Sequence, residues 1–166
     1  MPPFSATKNM SAIISACGQY RYRLERELGP GKTCLFIMFN PSTADAANND
    51  PTVRRCIGFA RTWGYGKLMV GNLFAFRTPY PDDLMLEPKP HGPRNLVHLK
   101  KMCDEADFHV IAWGTRGRYL DQNKAVLAKL EEWKIPVHFL KLTKEGHPQH
   151  PLYVKKTLVP ARWSTE

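Results

Sequence analysis

Four short apolar runs, "CLFIMF" (34–39), "LMVGNLF" (68–74), "FHVIAW" (108–113) and "PVHFLK" (136–141), recur along the chain with a helical stretch between each pair. Strands that are apolar on both alternating faces must be covered on both, and parallel neighbours need a crossover long enough for a helix. The pattern predicts an α/β fold: a three-layer αβα sandwich around a central, four-stranded, mostly parallel sheet. A chain of 166 residues has room for one such core and too little for two. Residues 11–166 therefore read as a single domain behind a flexible leader, residues 1–10.

The elements around these runs carry their own signals. In "AIISACGQYRYRLERELG" (12–29), Tyr20, Tyr22 and Leu24 alternate with Gln19, Arg21 and Arg23, as in a half-buried strand. Cys17-Gly18 supplies a turn, so an N-terminal antiparallel hairpin at the sheet edge is expected. Asp50 can cap a helix opened by Pro51, with Val53, Cys56, Ile57 and Ala60 on its apolar side and Arg54 and Arg61 opposite. A second helix is expected from Pro93 to about Ala106 with Leu96, Leu99 and Cys103 inward, and a third from Gly117 to Trp133 with Val126, Leu127 and Leu130 inward. Pro79, Pro81, Pro88 and Pro90 mark 76–92 as a long loop.

Lys and Arg number 24 against 15 Asp and Glu, a net charge of +9. Such a surface favours a polyanionic partner through phosphate contacts and counterion release. Cys17, Cys34, Cys56 and Cys103 form no C-x-x-C pair, which argues against a zinc or iron–sulfur motif and suits reduced core thiols in the cytoplasm. No export signal or membrane-length apolar stretch is present, no metal or cofactor is implied, and a monomer is expected.

Ligands of open parallel sheets bind beyond the carboxyl ends of the strands. Those ends deliver "NPSTAD", "NLFAFRTPYP", "WGTRGR" and "LTKEGHPQHP", with Asn40, Asn72, Arg77, Arg116, Arg118 and His147 among their polar groups. Pro41 keeps Asn40 extended, so its amide can be aimed across the strand ends; an Asx turn is the competing reading. Asn72 falls inside an apolar run, where an amide suits a nucleobase edge or a satisfied structural role. Asp45 and Asp50 could activate water, Asp50 being discounted because it caps a helix. A proline after each histidine of "GHPQHP" (146–151) excludes the helix that would pair them on a metal, and His147, first after the strand, is preferred to His150 for meeting a leaving group.

"CLFIMFNPS" resembles the first motif of the uracil-DNA glycosylase superfamily, most closely the asparagine–proline form of its mismatch-specific branch. "VGNLFAFRTPYP", "HVIAWG" and "LTKEGHPQHP" resemble its second-strand segment, third strand and late His-Pro loop. Residues 17–160 also resemble a bacterial and phage domain family of unknown function sharing the N-P-S-T-A-D, D-P-T-x-R-R-C, N-L-F-A and G-H-P-x-H-P-L-Y runs. The superfamily resemblance implies that Asn40 positions the attacking water, Asn72 reads the base and His147 stabilises the leaving base. Pro41, Ser42, Thr43, Phe74, Arg77 and His150 would line the base site, with Ser42, Thr43 or Asp45 supplying what the Asn40 amide lacks. Arg54, Arg55, Arg116, Arg118 and Lys144 would hold DNA phosphates. The sequence departs from that pattern in having no aspartate at position 40, and Gln149 where serine usually follows the His-Pro pair. The implied function is a DNA glycosylase-like hydrolase acting on a damaged or modified base in DNA. A modified-base binding module and a hydrolase of free modified nucleosides or nucleotides are the alternatives.

Overall fold

The computed structural model describes residues 10–164. The expected leader lies outside the described residues except for Met10, which opens the first strand. Seven strands, β1 (Met10–Ile14), β2 (Arg21–Glu27), β3 (Thr33–Met38), β4 (Lys67–Asn72), β5 (Phe108–Ile111), β6 (His138–Phe139) and β7 (Ala161–Arg162), form one mixed sheet in the order β1-β2-β4-β3-β5-β6-β7. The four apolar runs make its middle, β4-β3-β5-β6, where every ladder is parallel. Both edges are antiparallel: the β1–β2 hairpin joins through β2 to β4, and β7 pairs with β6. The sheet thus has seven strands: the hairpin joins the edge of the four apolar runs as expected, and β7 adds one more. β7 is two exposed residues, too short for any periodicity to announce it.

Successive side chains of β3 point to opposite faces, and each face is packed. Phe36 and Met38 meet Val53, Cys56, Phe59 and Ala60 of α1 (Pro51–Thr62) in one cluster. Leu35 and Ile37 meet Leu99, Met102 and Cys103 of α3 (Asn95–Glu105) and Val126 and Leu130 of α4 (Gln122–Glu132) in the other. The Asp50 carboxylate caps α1 by accepting the Val53 N–H at 2.8 Å. α3 starts two residues after Pro93 and turns Asn95, not Leu96, into the protein; Leu96 is 42% exposed. The third expected helix is broken: a 3-10 stretch over Thr115–Asp121 ends with Leu120 and Asp121 at positive φ before α4 begins. The proline-rich loop holds a short helix, α2 (Pro81–Leu86).

One departure bears on function. The arginines of β2 do not face solvent: Arg21, Arg23 and Arg26 are 2%, 8% and 0% exposed. These side chains are covered by α3, through Glu105, and by the 44–49 loop, through Ala44, Asp45, Asn48 and Asn49. Arg23 pairs with Glu25 and Glu105, and Arg26 ties down the 45–49 loop through Asn49 Oδ1 and the Asp45 and Asn48 carbonyls. Cys34, Cys56 and Cys103 are buried as expected, whereas Cys17 is exposed in the hairpin turn. Among the described residues no helix is long and apolar enough to cross a membrane.

Candidate functional site

A cavity of about 580 Å³ opens beyond the carboxyl ends of the central strands. Asn40 and Ser42 reach it from the end of β3, Thr78 and Pro79 from the segment after β4, Trp113 to Arg116 from the end of β5, and Gln149, His150 and Tyr153 from the segment after β6. Arg21 and Asp50 complete the wall. The cavity therefore sits where the strand order reverses, β3 running on to β4 on one side and β5 on the other.

Asn40 is fixed by its own amide. Nδ2 donates to the carbonyls of Pro41, Phe76 and Thr78, at 2.9, 3.2 and 2.9 Å. Three carbonyls around one nitrogen settle the orientation of the amide and leave Oδ1, an acceptor, as its other polar atom. No Asx turn forms here; the Thr78 N–H donates to the Pro41 carbonyl, so the two loops close on each other through buried Pro41.

His150 is the histidine on the cavity wall. Its Nδ1 accepts the Leu152 N–H at 3.2 Å, so a neutral ring carries its proton on Nε2. Burial pulls its pKa down to about 4, against a smaller opposing effect of Asp50, and the ring is neutral at pH 7. Pro151 begins a short 3-10 turn that sets this arrangement, and the Tyr153 ring packs 5.7 Å from the imidazole. His147 is off the wall, its backbone N–H held by the Thr143 hydroxyl.

Asp50 has two duties: besides capping α1, its Oδ2 accepts the Ala44 N–H at 3.2 Å, and it faces the cavity. Ala44 in turn presents its carbonyl to Arg21 Nη1 at 2.9 Å, so the backbone of one residue stands between the carboxylate and the guanidinium. Burial draws the Arg21 pKa down to about 10 while Asp50 raises it, and the group stays charged at neutral pH. Trp113 closes the floor, its indole so tight on Gly117 that a Cβ there would meet Cδ1 at 2.2 Å. Gly117 thus serves packing.

The remaining expected residues fall elsewhere. Asp45 closes an Asx turn, its Oδ1 accepting the Ala47 and Asn48 N–H groups, which hold its carboxyl below the ordinary value. Thr43 is exposed and off the wall. Asn72 is buried with Oδ1 unpartnered and does not line the cavity, and Phe74 is wholly buried against Phe39, His91 and Tyr119. Arg77 donates to Gly18 O. Arg54 and Arg55 each donate one hydrogen bond, to the Asn49 and Val154 carbonyls, Arg118 lies 3.5 Å from Glu145, and Lys144 is exposed. Of the five expected phosphate binders only Arg116 reaches the cavity. Arg21 and Trp113 went unnoticed in the sequence because each reads there as ordinary strand. Among the described residues no group of three or more His, Cys, Asp or Glu side chains could hold a metal ion.

The fold and site define a mixed α/β protein with a cavity, lined by polar and apolar side chains alike, at the carboxyl ends of its parallel strands. The family model described as "Protein of unknown function (DUF1643)" matches residues 21–152, and the chain belongs to that family. No curated protein and no solved structure matches it.

Proposed function

We propose that the cavity is the active site of a DNA glycosylase-like hydrolase that breaks the N-glycosidic bond of a damaged or modified base. The observation that carries this reading is His150: a neutral imidazole, fixed as the Nε2–H tautomer on a cavity wall shared with the locked amide of Asn40. A neutral donor of this kind stabilises charge developing on a departing base without giving up its proton. The role expected of His147 passes to His150.

In this scheme Asn40 Oδ1 accepts a hydrogen bond from water and aims it at the sugar carbon. The carbon–nitrogen bond breaks with its electron pair leaving on the base, whose carbonyl oxygen accepts the His150 Nε2–H. The water oxygen bonds the carbon and its proton passes to the released base. Asp50 supplies negative charge beside the cationic sugar, a task its cap does not prevent because each carboxylate oxygen has a second lone pair. Asp45, committed to its turn, has no part.

A second reading, a modified-base binder that does not cut, is favoured by one observation: both carboxylates near Asn40 already serve backbone N–H groups. Base release from oligonucleotides carrying natural, deaminated and 5-substituted bases, scored as alkali-sensitive sites, separates the two. Release that Asn40→Ala abolishes with duplex affinity kept supports hydrolysis. Binding to these oligonucleotides with no release from any of them supports the binder.

A further inference from the structure

We infer that the substrate of this cavity carries an oxyanion and that the Arg21 guanidinium holds it, making Arg21 the residue that sets specificity. The inference deepens the reading above, since it rests on the cavity being the substrate site. Within β2 three arginines are buried, and two of them meet carboxylates or several other acceptors, although the Nε of Arg23, like that of Arg21, has no partner. Arg23 meets two carboxylates, and Arg26 donates from all three nitrogens to Asn49 Oδ1 and to the carbonyls of Ser11, Glu25, Asp45 and Asn48. Arg21, the one facing the cavity, has a single hydrogen-bond partner among the described residues, the Ala44 carbonyl, and its buried Nε has none. No carboxylate pairs with it directly.

A guanidinium taken out of water without a counter-ion is costly unless something completes it. Asp50 shares the wall and acts on Arg21 through space, but its two oxygens accept the Val53 and Ala44 N–H groups and neither hydrogen-bonds to the guanidinium. Arg26 and Arg77 add positive charge around Arg21, and Arg116 adds it at the mouth. Asp50 offsets part of that charge, and Arg21 keeps donor capacity that no protein acceptor meets, the kind of group that takes an oxygen of a carboxylate or phosphate. A neutral base could offer it carbonyl or ring-nitrogen acceptors but no counter-charge. Two sources share this chemistry: a carboxylate on the modified base, and the phosphate of a free nucleotide.

Matched probes decide, with binding measured calorimetrically at one ionic strength. One pair is a single-stranded oligonucleotide carrying 5-carboxyl-2′-deoxycytidine against the same strand with 5-methyl-2′-deoxycytidine. The other is thymidine 5′-monophosphate against thymidine. In at least one pair the charged member should bind about tenfold or more tighter, the size of a lost charge-assisted contact. The pair that shows it names the source. Arg21→Gln should erase the preference while Tm holds or rises, because a buried unpaired charge has been removed; Arg21→Lys should keep part of it. Equal behaviour of both members in both pairs for the wild-type protein would overturn the inference whatever the variants do, as would a preference that survives Arg21→Gln. Anion preference without base release from any oligonucleotide removes the hydrolase and keeps Arg21's role; base release without anion preference does the reverse.

Discussion

His150 shows how a single side chain is set by what surrounds it. Its pKa of about 4 lies below the ordinary 6.5, so between those values the unfolded chain takes up a proton that the folded protein refuses. The stability it contributes is complete above about pH 6.5 and is lost as pH falls toward 4, on the order of 3 kcal/mol at 1.36 kcal/mol per unit. Burial shifts His98, His109 and His138 in the same direction, so the His150 share is read as a difference. Urea unfolding from pH 7.5 to 4.5 should show a steeper loss for wild type than for His150→Gln; parallel curves would mean the ring is not buried neutral. This residue also marks a limit of the sequence. "GHPQHP" announces a rigid His-Pro turn, but which histidine faces the cavity depends on a tertiary closure that no local spacing encodes.

At the scale of elements, α1 was the most legible because all its determinants are local. Cap, Pro51 and the spacing of Val53, Cys56, Ile57 and Ala60 lie within eleven residues and agree with one another. Asp50→Ala should cost about 1–2 kcal/mol in denaturant unfolding, the loss of a good N-cap, and an unchanged midpoint would show that the cap is idle. Arg21 was not legible for the opposite reason. Alternation with Tyr20 and Tyr22 placed it on a solvent face, but the loop carrying its partner Ala44, 23 residues along the chain, lies over it. The break before α4 was likewise hidden, since Leu120 and Asp121 are not glycines and nothing local marks their positive φ. Gly117→Ala should destabilise by about 1–3 kcal/mol through overpacking on Trp113, with the midpoint falling accordingly. Wild-type stability would show that the indole can shift.

For the whole molecule, the four apolar runs were enough to foresee the parallel centre of the sheet, because continuous burial leaves few other arrangements. The edge hairpin was announced by the alternation beside Cys17-Gly18, whereas the two residues of β7 are too few to carry any pattern. The excess of 24 basic over 15 acidic side chains predicts DNA affinity that falls steeply with salt, through phosphate contacts that release counterions. A filter-binding titration across salt concentrations with a flat slope would argue instead for a small nucleotide. The central claim is that the cavity releases a base with His150 and Asn40 on its wall. The most direct test is single-turnover base release across the modified oligonucleotide panel for wild type, Asn40→Ala, His150→Ala and His147→Ala. The account predicts release by wild type, loss of about a hundredfold or more in the first two variants, and near-wild-type rates for His147→Ala. Release that persists in His150→Ala but disappears in His147→Ala would contradict it.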